Sequence, residues 1–143
     1  MDKQCAVTAK AMQPVAELAA QGEGLILIHG NGPQAGWMQL RSALSRDHLK
    51  ELPLDSIVAN TQGSLGYMLQ RTLRQALHLK GVERPIATLV TEVLVDPSDQ
   101  AFEEPTKPIG NFYSDEEAQA LSQHFGWLMV EDSQRGYRRV VPS

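Results

Sequence analysis

This sequence of 143 residues predicts an α/β fold, a parallel sheet with helices on its faces. Three observations lead there. Leu25-Ile26-Leu27-Ile28 is a continuous apolar run bounded by glycines, the pattern of a strand buried on both faces. Ile86 to Val95 is rich in β-branched residues and reads as a second strand. Segments of helical periodicity alternate with these two.

The elements follow in order. Residues 6–21 predict a helix with Val7, Ala11, Val15, Leu18 and Ala19 on one stripe. Pro14 inside it predicts a kink or a late start. Gly22 and Gly24 end it, and the Leu25–Ile28 strand follows. Pro33 suits the first turn of a second helix carrying Trp37, Leu40 and Leu44. After a polar break at 46–54, Asp55 caps a long helix to about Lys80, stopped by Gly81. Ile57, Leu65, Met68, Leu69, Leu73 and Leu77 form its apolar face. Gly63 and Gly66 inside it predict close packing. Residues 96–113 hold three of the eight prolines, which excludes a central strand and predicts a long functional loop. Ser114 to Glu117 is a capping box opening a helix to Phe125. Trp127–Glu131 and Arg138–Val141 read as a hairpin turning at 133–136.

Composition excludes several function classes. Thirteen Lys+Arg against seventeen Asp+Glu leave a net charge of −4, against a general nucleic-acid or anionic-membrane binder. No apolar run approaches the ~20 residues of a membrane span. Met1 to Lys10 shows no signal-peptide pattern, and the lone Cys5 forbids an internal disulfide or a CxxC metal site. These features predict a cytoplasmic protein.

Two segments could carry chemistry. His29-Gly30-Asn31-Gly32-Pro33 lies between a strand and a helix start. Its N–H groups and the helix dipole suit a phosphate or carboxylate, although a tight turn without a ligand fits the same pattern. It is neither a Walker A loop nor GxGxxG. In Pro105-Thr106-Lys107-Pro108-Ile109-Gly110, a lysine stands between two prolines. Its ammonium suits charge developing in phosphoryl transfer, or is simply solvated. Arg135, Arg138 and Arg139 either hold an anion or pair with Glu131 and Asp132. No metal spacing occurs among His29, His48, His78 and His124, and His29 reads as a structural residue orienting the glycine loop.

Taken together, these motifs resemble carbamate kinase, of the amino-acid kinase superfamily. The matching stretches are His29 to Gln34, Gln62-Gly63-Ser64-Leu65-Gly66-Tyr67, Val95-Asp96-Pro97, Ala101-Phe102, Pro105 to Gly110, Phe112-Tyr113 and Gly136 to Ser143. The resemblance implies a three-layer αβα sandwich and a cytoplasmic homodimer that binds neither nucleic acid nor membrane. It also implies transfer of a phosphoryl group between ATP and carbamate, or back from carbamoyl phosphate to ADP, as in arginine breakdown. By that match Gly30, Asn31 and Gly32 hold the substrate or phosphoryl group, and Lys107 is the catalytic cation. The helix around Gln62 to Tyr67 then packs near the site or at the dimer interface. Residues 1–95 correspond to a partial carbamate-binding lobe and 96–143 to a projecting subdomain with its return hairpin.

The family's first strand, with its Gly-Gly-Asn-Ala loop, and its C-terminal nucleotide lobe have no counterpart here. The expected fold is therefore incomplete, ATP/ADP and Mg²⁺ lack their lobe, and the chain alone is expected to be inactive. The alternative is a non-catalytic interaction fragment, or a degraded gene product, associating with itself or with a full-length kinase.

Overall fold

The structure, a computed structural model, describes residues 3–142. Four helices and three strands follow in the order α1 (Lys3–Ala20), α2 (Gly32–Leu44), α3 (Leu54–His78), β1 (Lys107–Tyr113), α4 (Asp115–Phe125), β2 (Met129–Glu131) and β3 (Tyr137–Val141). They divide into two compact units, residues 1–30 with 59–91 and residues 31–58 with 92–143. Ser143, the last residue of the closing motif, lies outside the described residues.

In the first unit, α1 packs on α3. Met12, Ala16 and Ala19 are buried with Leu73, Ala76 and Leu77, and Val15, Leu69, Val82 and Ile86 pack against them. The helix runs through Pro14, so the predicted late start does not occur. Its buried stripe is Thr8, Met12, Ala16 and Ala19, displaced from the predicted one; Val7 and Leu18 face solvent. Gly22, at φ +99°, ends it in a conformation that L side chains rarely adopt. α3 begins at Leu54, with Asp55 inside its first turn rather than at the cap. At its other end Val82 N–H bonds the Leu77 carbonyl across Gly81, at φ +70°, a left-handed stop as expected.

The two predicted parallel strands do not form. Leu25–Ile28 and Ile86–Val95 carry no strand ladder, and Ile26 and Ile28 are 90% and 93% exposed. A strand exists only by pairing, and no described segment supplies the partner. Residues 82–88 still show the two-residue period of extended chain, with Val82, Arg84, Ile86 and Thr88 half-buried between exposed neighbours. Side chains of α3 take the place of a strand. Gln62 Oε1 accepts from Thr91 N–H (2.7 Å) while its Nε2 donates to the Thr91 carbonyl (3.3 Å). Gln70 Nε2 donates to the Ile86 carbonyl (3.1 Å), and its Oε1 accepts from the Thr88 hydroxyl (2.9 Å).

The second unit holds an antiparallel sheet in the order β1-β3-β2. The loop expected over 96–113 is therefore shorter, because its last seven residues form β1. Pro108 is tolerated because β1 is an edge strand, which agrees with the exclusion of a central one. The register runs Lys107 with Val141 and Ile109 with Arg139, then shifts before Tyr113 with Tyr137. Gly110, at φ +77°, sits in that irregularity. The capping box of α4 closes both ways: Ser114 N–H to Glu117 carboxylate at 2.8 Å and Glu117 N–H to Ser114 Oγ at 3.2 Å. The hairpin β2–β3 forms as predicted, with Ser133 and Gln134 at positive φ in its turn.

Candidate functional site

α2 carries half of the predicted anion cradle. Asn31 is its N-cap residue, Gly32 its first residue, and Pro33 lies in its first turn. A helix start leaves its first N–H groups without intrahelical acceptors. Pro33 has none to offer, Ala35 N–H is spent on the Asn31 carbonyl (2.9 Å), and the Asn31 side chain makes no capping bond. Gly32 and Gln34 stand in this first turn, at the positive end of the helix dipole.

The buried face of α2 is Ala35, Gly36, Gln39, Ser42 and Ala43, and it lies on β1. The contact is backbone on backbone: a Cβ added to Gly36 would lie 2.0 Å from the Gly110 Cα. One residue further on, Trp37 Nε1 donates to Asn111 Oδ1 at 2.6 Å. Asn31 and Gly32 open α2 and Lys107 opens β1, and the two elements meet at Gly36 and Gly110.

Lys107 is exposed, which fits the solvated and the anion-facing readings alike. Gly30 belongs to the other compact unit and is open, with space around its α-carbon. His29 is exposed rather than buried at a strand end, and its Nδ1 lies 3.3 Å from the Gly30 carbonyl. It can donate there in one tautomer, so the loop-orienting role survives and the buried setting does not.

The arginines near the end divide their work. Arg138 pairs with Asp132 at 3.1 Å. The Ser133 hydroxyl and then Arg138 hold the Asp132 carboxyl below its ordinary range. Arg135 and Arg138 stand over the Phe112 ring, at 4.2 and 5.1 Å, and Arg139 lies 4.4 Å over Trp127. Burial lowers the Arg139 pKa, opposed by the Glu51 carboxylate. Burial also raises the Tyr113 hydroxyl, with the Glu117 charge adding to it. The pairing reading predicted from sequence thus holds for Arg138, while Arg135 and Arg139 find aromatic rings.

Sequence reasoning missed Gly36, Gly110 and Gln39. The signal for Gly36 was a glycine in the middle of a helix, matched by the glycine closing the Thr-Lys-Pro-Ile-Gly segment. Gln39 gave none: a polar side chain on a helix reads as exposed, yet it is 5% exposed.

Comparison with known proteins follows these features. No family model matches the chain. Carbamate kinase of Pyrococcus horikoshii is 41% identical over 136 residues, covering 94% of this chain and 43% of that protein. Carbamate kinase 2 of Enterococcus faecalis is 45% identical over 141 residues, covering 98% and 45%. The solved carbamate kinase of Giardia lamblia bound to citric acid matches all of this chain and 46% of its own, at 36% identity and a TM-score of 0.93. The chain spans less than half the length of these relatives, so the architecture is part of the αβα kinase domain. Sequence and fold thus agree, over nearly every residue of this chain, with a little under half of these carbamate kinases.

Proposed function

We propose that this chain supplies the acceptor side of a carbamate kinase phosphotransferase, ATP + carbamate = ADP + carbamoyl phosphate, working in arginine and carbamoyl phosphate catabolism. The observation that supports the reading is the seating of α2, which opens on Asn31 and Gly32, against β1, which opens on Lys107. Phosphoryl transfer needs positioning and charge stabilisation more than covalent help from the protein. Backbone N–H groups of Gly30, Asn31 and Gly32 would orient the carbamate or transferred phosphoryl group. The Lys107 ammonium would meet the charge growing on the phosphoryl oxygens.

The residues present do not fit a Mg²⁺ site. Among the described residues no group of three or more His, Cys, Asp or Glu could hold a metal ion. In this reading nucleotide and Mg²⁺ would be held by the part of the relatives that this chain does not span. In this reading residues 1–95 form a partial substrate lobe, residues 96–143 a projecting subdomain, and the complete enzyme is a cytoplasmic dimer.

The test is ATP formation from carbamoyl phosphate and ADP. The purified chain should show none, and co-expression with the remaining part of a carbamate kinase should restore it. In that restored enzyme Lys107→Ala should lower kcat by roughly 10²–10³-fold, the size of losing one charge-stabilising donor. Turnover by the chain alone would refute the division of labour, and an undiminished K107A enzyme would refute the lysine's role.

The exposed Ile26, Ile28 and Leu89 side chains favour a second reading, a fragment that associates with its own copies or with a kinase chain. Light scattering with and without added full-length kinase separates the two.

A further inference from the structure

A cavity in the first unit lies between the C-terminal half of α3 and the extended 82–85 segment, away in sequence from every residue assigned above. It measures about 740 Å³, within the range of small-molecule sites. Its floor is apolar, with Leu77 and Val82. Its rim carries three arginines: Arg71 and Arg74 share one stripe of α3 with His78, and Arg84 comes from the facing 82–85 segment, against one carboxylate, Glu83.

None of the three guanidinium groups is in an ion pair, since the pairs among the described residues are Lys80–Glu17 and Arg138–Asp132. Neutral groups hold them instead. Arg71 lies over the Tyr67 ring at 5.7 Å, Arg74 reaches the Ile86 carbonyl at 3.5 Å, and Arg84 donates to the Ala19 and Glu23 carbonyls at 2.6 and 2.7 Å. The charge distribution of the chain points the same way. The first unit has six Lys/Arg and four Asp/Glu, a net +2, while the second has seven and thirteen, a net −6. Half of the first unit's cations thus border one cavity in an otherwise acidic protein.

A rim of oriented, uncompensated guanidinium forks over an apolar floor selects a ligand that is anionic at one end and apolar at the other. We propose that this cleft binds an organic phosphate monoester, with the phosphate on Arg71 and Arg74 and the organic group on Leu77 and Val82. Arg84 lends fixed positive charge from the opposite wall. The site is independent of the phosphotransferase reading.

The test uses phenyl phosphate as probe and inorganic phosphate as control, titrated into the full ¹⁵N-labelled chain. Phenyl phosphate should move the side-chain Nε–Hε resonances of Arg71 and Arg74 and bind more tightly than inorganic phosphate. Arg71→Gln and Arg74→Gln should each weaken it by roughly tenfold, as expected for one charge-assisted bond. Both side chains are exposed, and far-UV circular dichroism checks that the variants keep their helices. Unmoved arginine resonances, or shifts confined to the first turn of α2, would overturn the site. Equal affinity for the two probes would overturn its assignment to an organic ester.

Discussion

Arg84 shows how much one side chain can organise. Its guanidinium gathers the carbonyl of Ala19, which also accepts from Gly22 N–H, and the carbonyl of Glu23 beyond the helix end. Arg84→Ala should cost about 1–3 kcal/mol in urea unfolding, with charge-assisted bonds lost and carbonyls left to water. Two glycines make a sharper contrast. Gly36→Ala drives a methyl into the Gly110 backbone, which cannot give way as a flexible side chain would. It should lower stability by about 1–3 kcal/mol or more, the cost of overpacking. Gly63 has nothing within 4 Å, so Gly63→Ala should raise stability by up to about 1 kcal/mol through helix propensity alone. Paired thermal melts of the two variants, moving in opposite directions, check both. From sequence the two glycines of α3 looked alike. Only Gly66 meets a neighbour, the Thr88 side chain, so close packing holds for it and fails for Gly63.

Elements whose signals are local were legible in the sequence. The capping box at Ser114 and the left-handed stop at Gly81, φ +70°, need only their own neighbours to form. Ser114→Ala should therefore remove about 1 kcal/mol, seen as earlier loss of helix α4 in hydrogen exchange. Elements that need a distant partner were not legible. Leu25–Ile28 has the composition of a buried strand and lies open, because composition states what a segment would bury, not whether anything arrives to cover it. β1 erred the other way: its prolines argued for a loop, and pairing with β3 along one edge made it a strand. The Gln62–Tyr67 stretch was legible as a motif and not as a contact. Among the described residues Gln62 and Gly66, one helical turn apart, hold the 88–91 segment against α3.

At the scale of the whole chain, the exposed apolar side chains set the solution behaviour. Ile26 and Ile28 are almost fully open, and chain of this kind with unpaired backbone groups invites pairing between molecules. The purified protein should grow in mass with concentration by light scattering. Ile26→Lys with Ile28→Lys should suppress that growth while leaving the thermal midpoint nearly unchanged, since neither side chain is buried. Of the candidate site, the residue types and their order were legible, since glycines after an apolar run and a lysine between prolines are sequence facts. The packing of α2 on β1 was not, because it depends on two α-carbons with no side chain between them. That contact has a mechanical meaning. For β1 to slide along α2, the Gly36 and Gly110 backbones would have to pass each other with no flexible side chain to yield. In the proposed site, travel of the Lys107 ammonium would therefore fall to its own four-carbon stem.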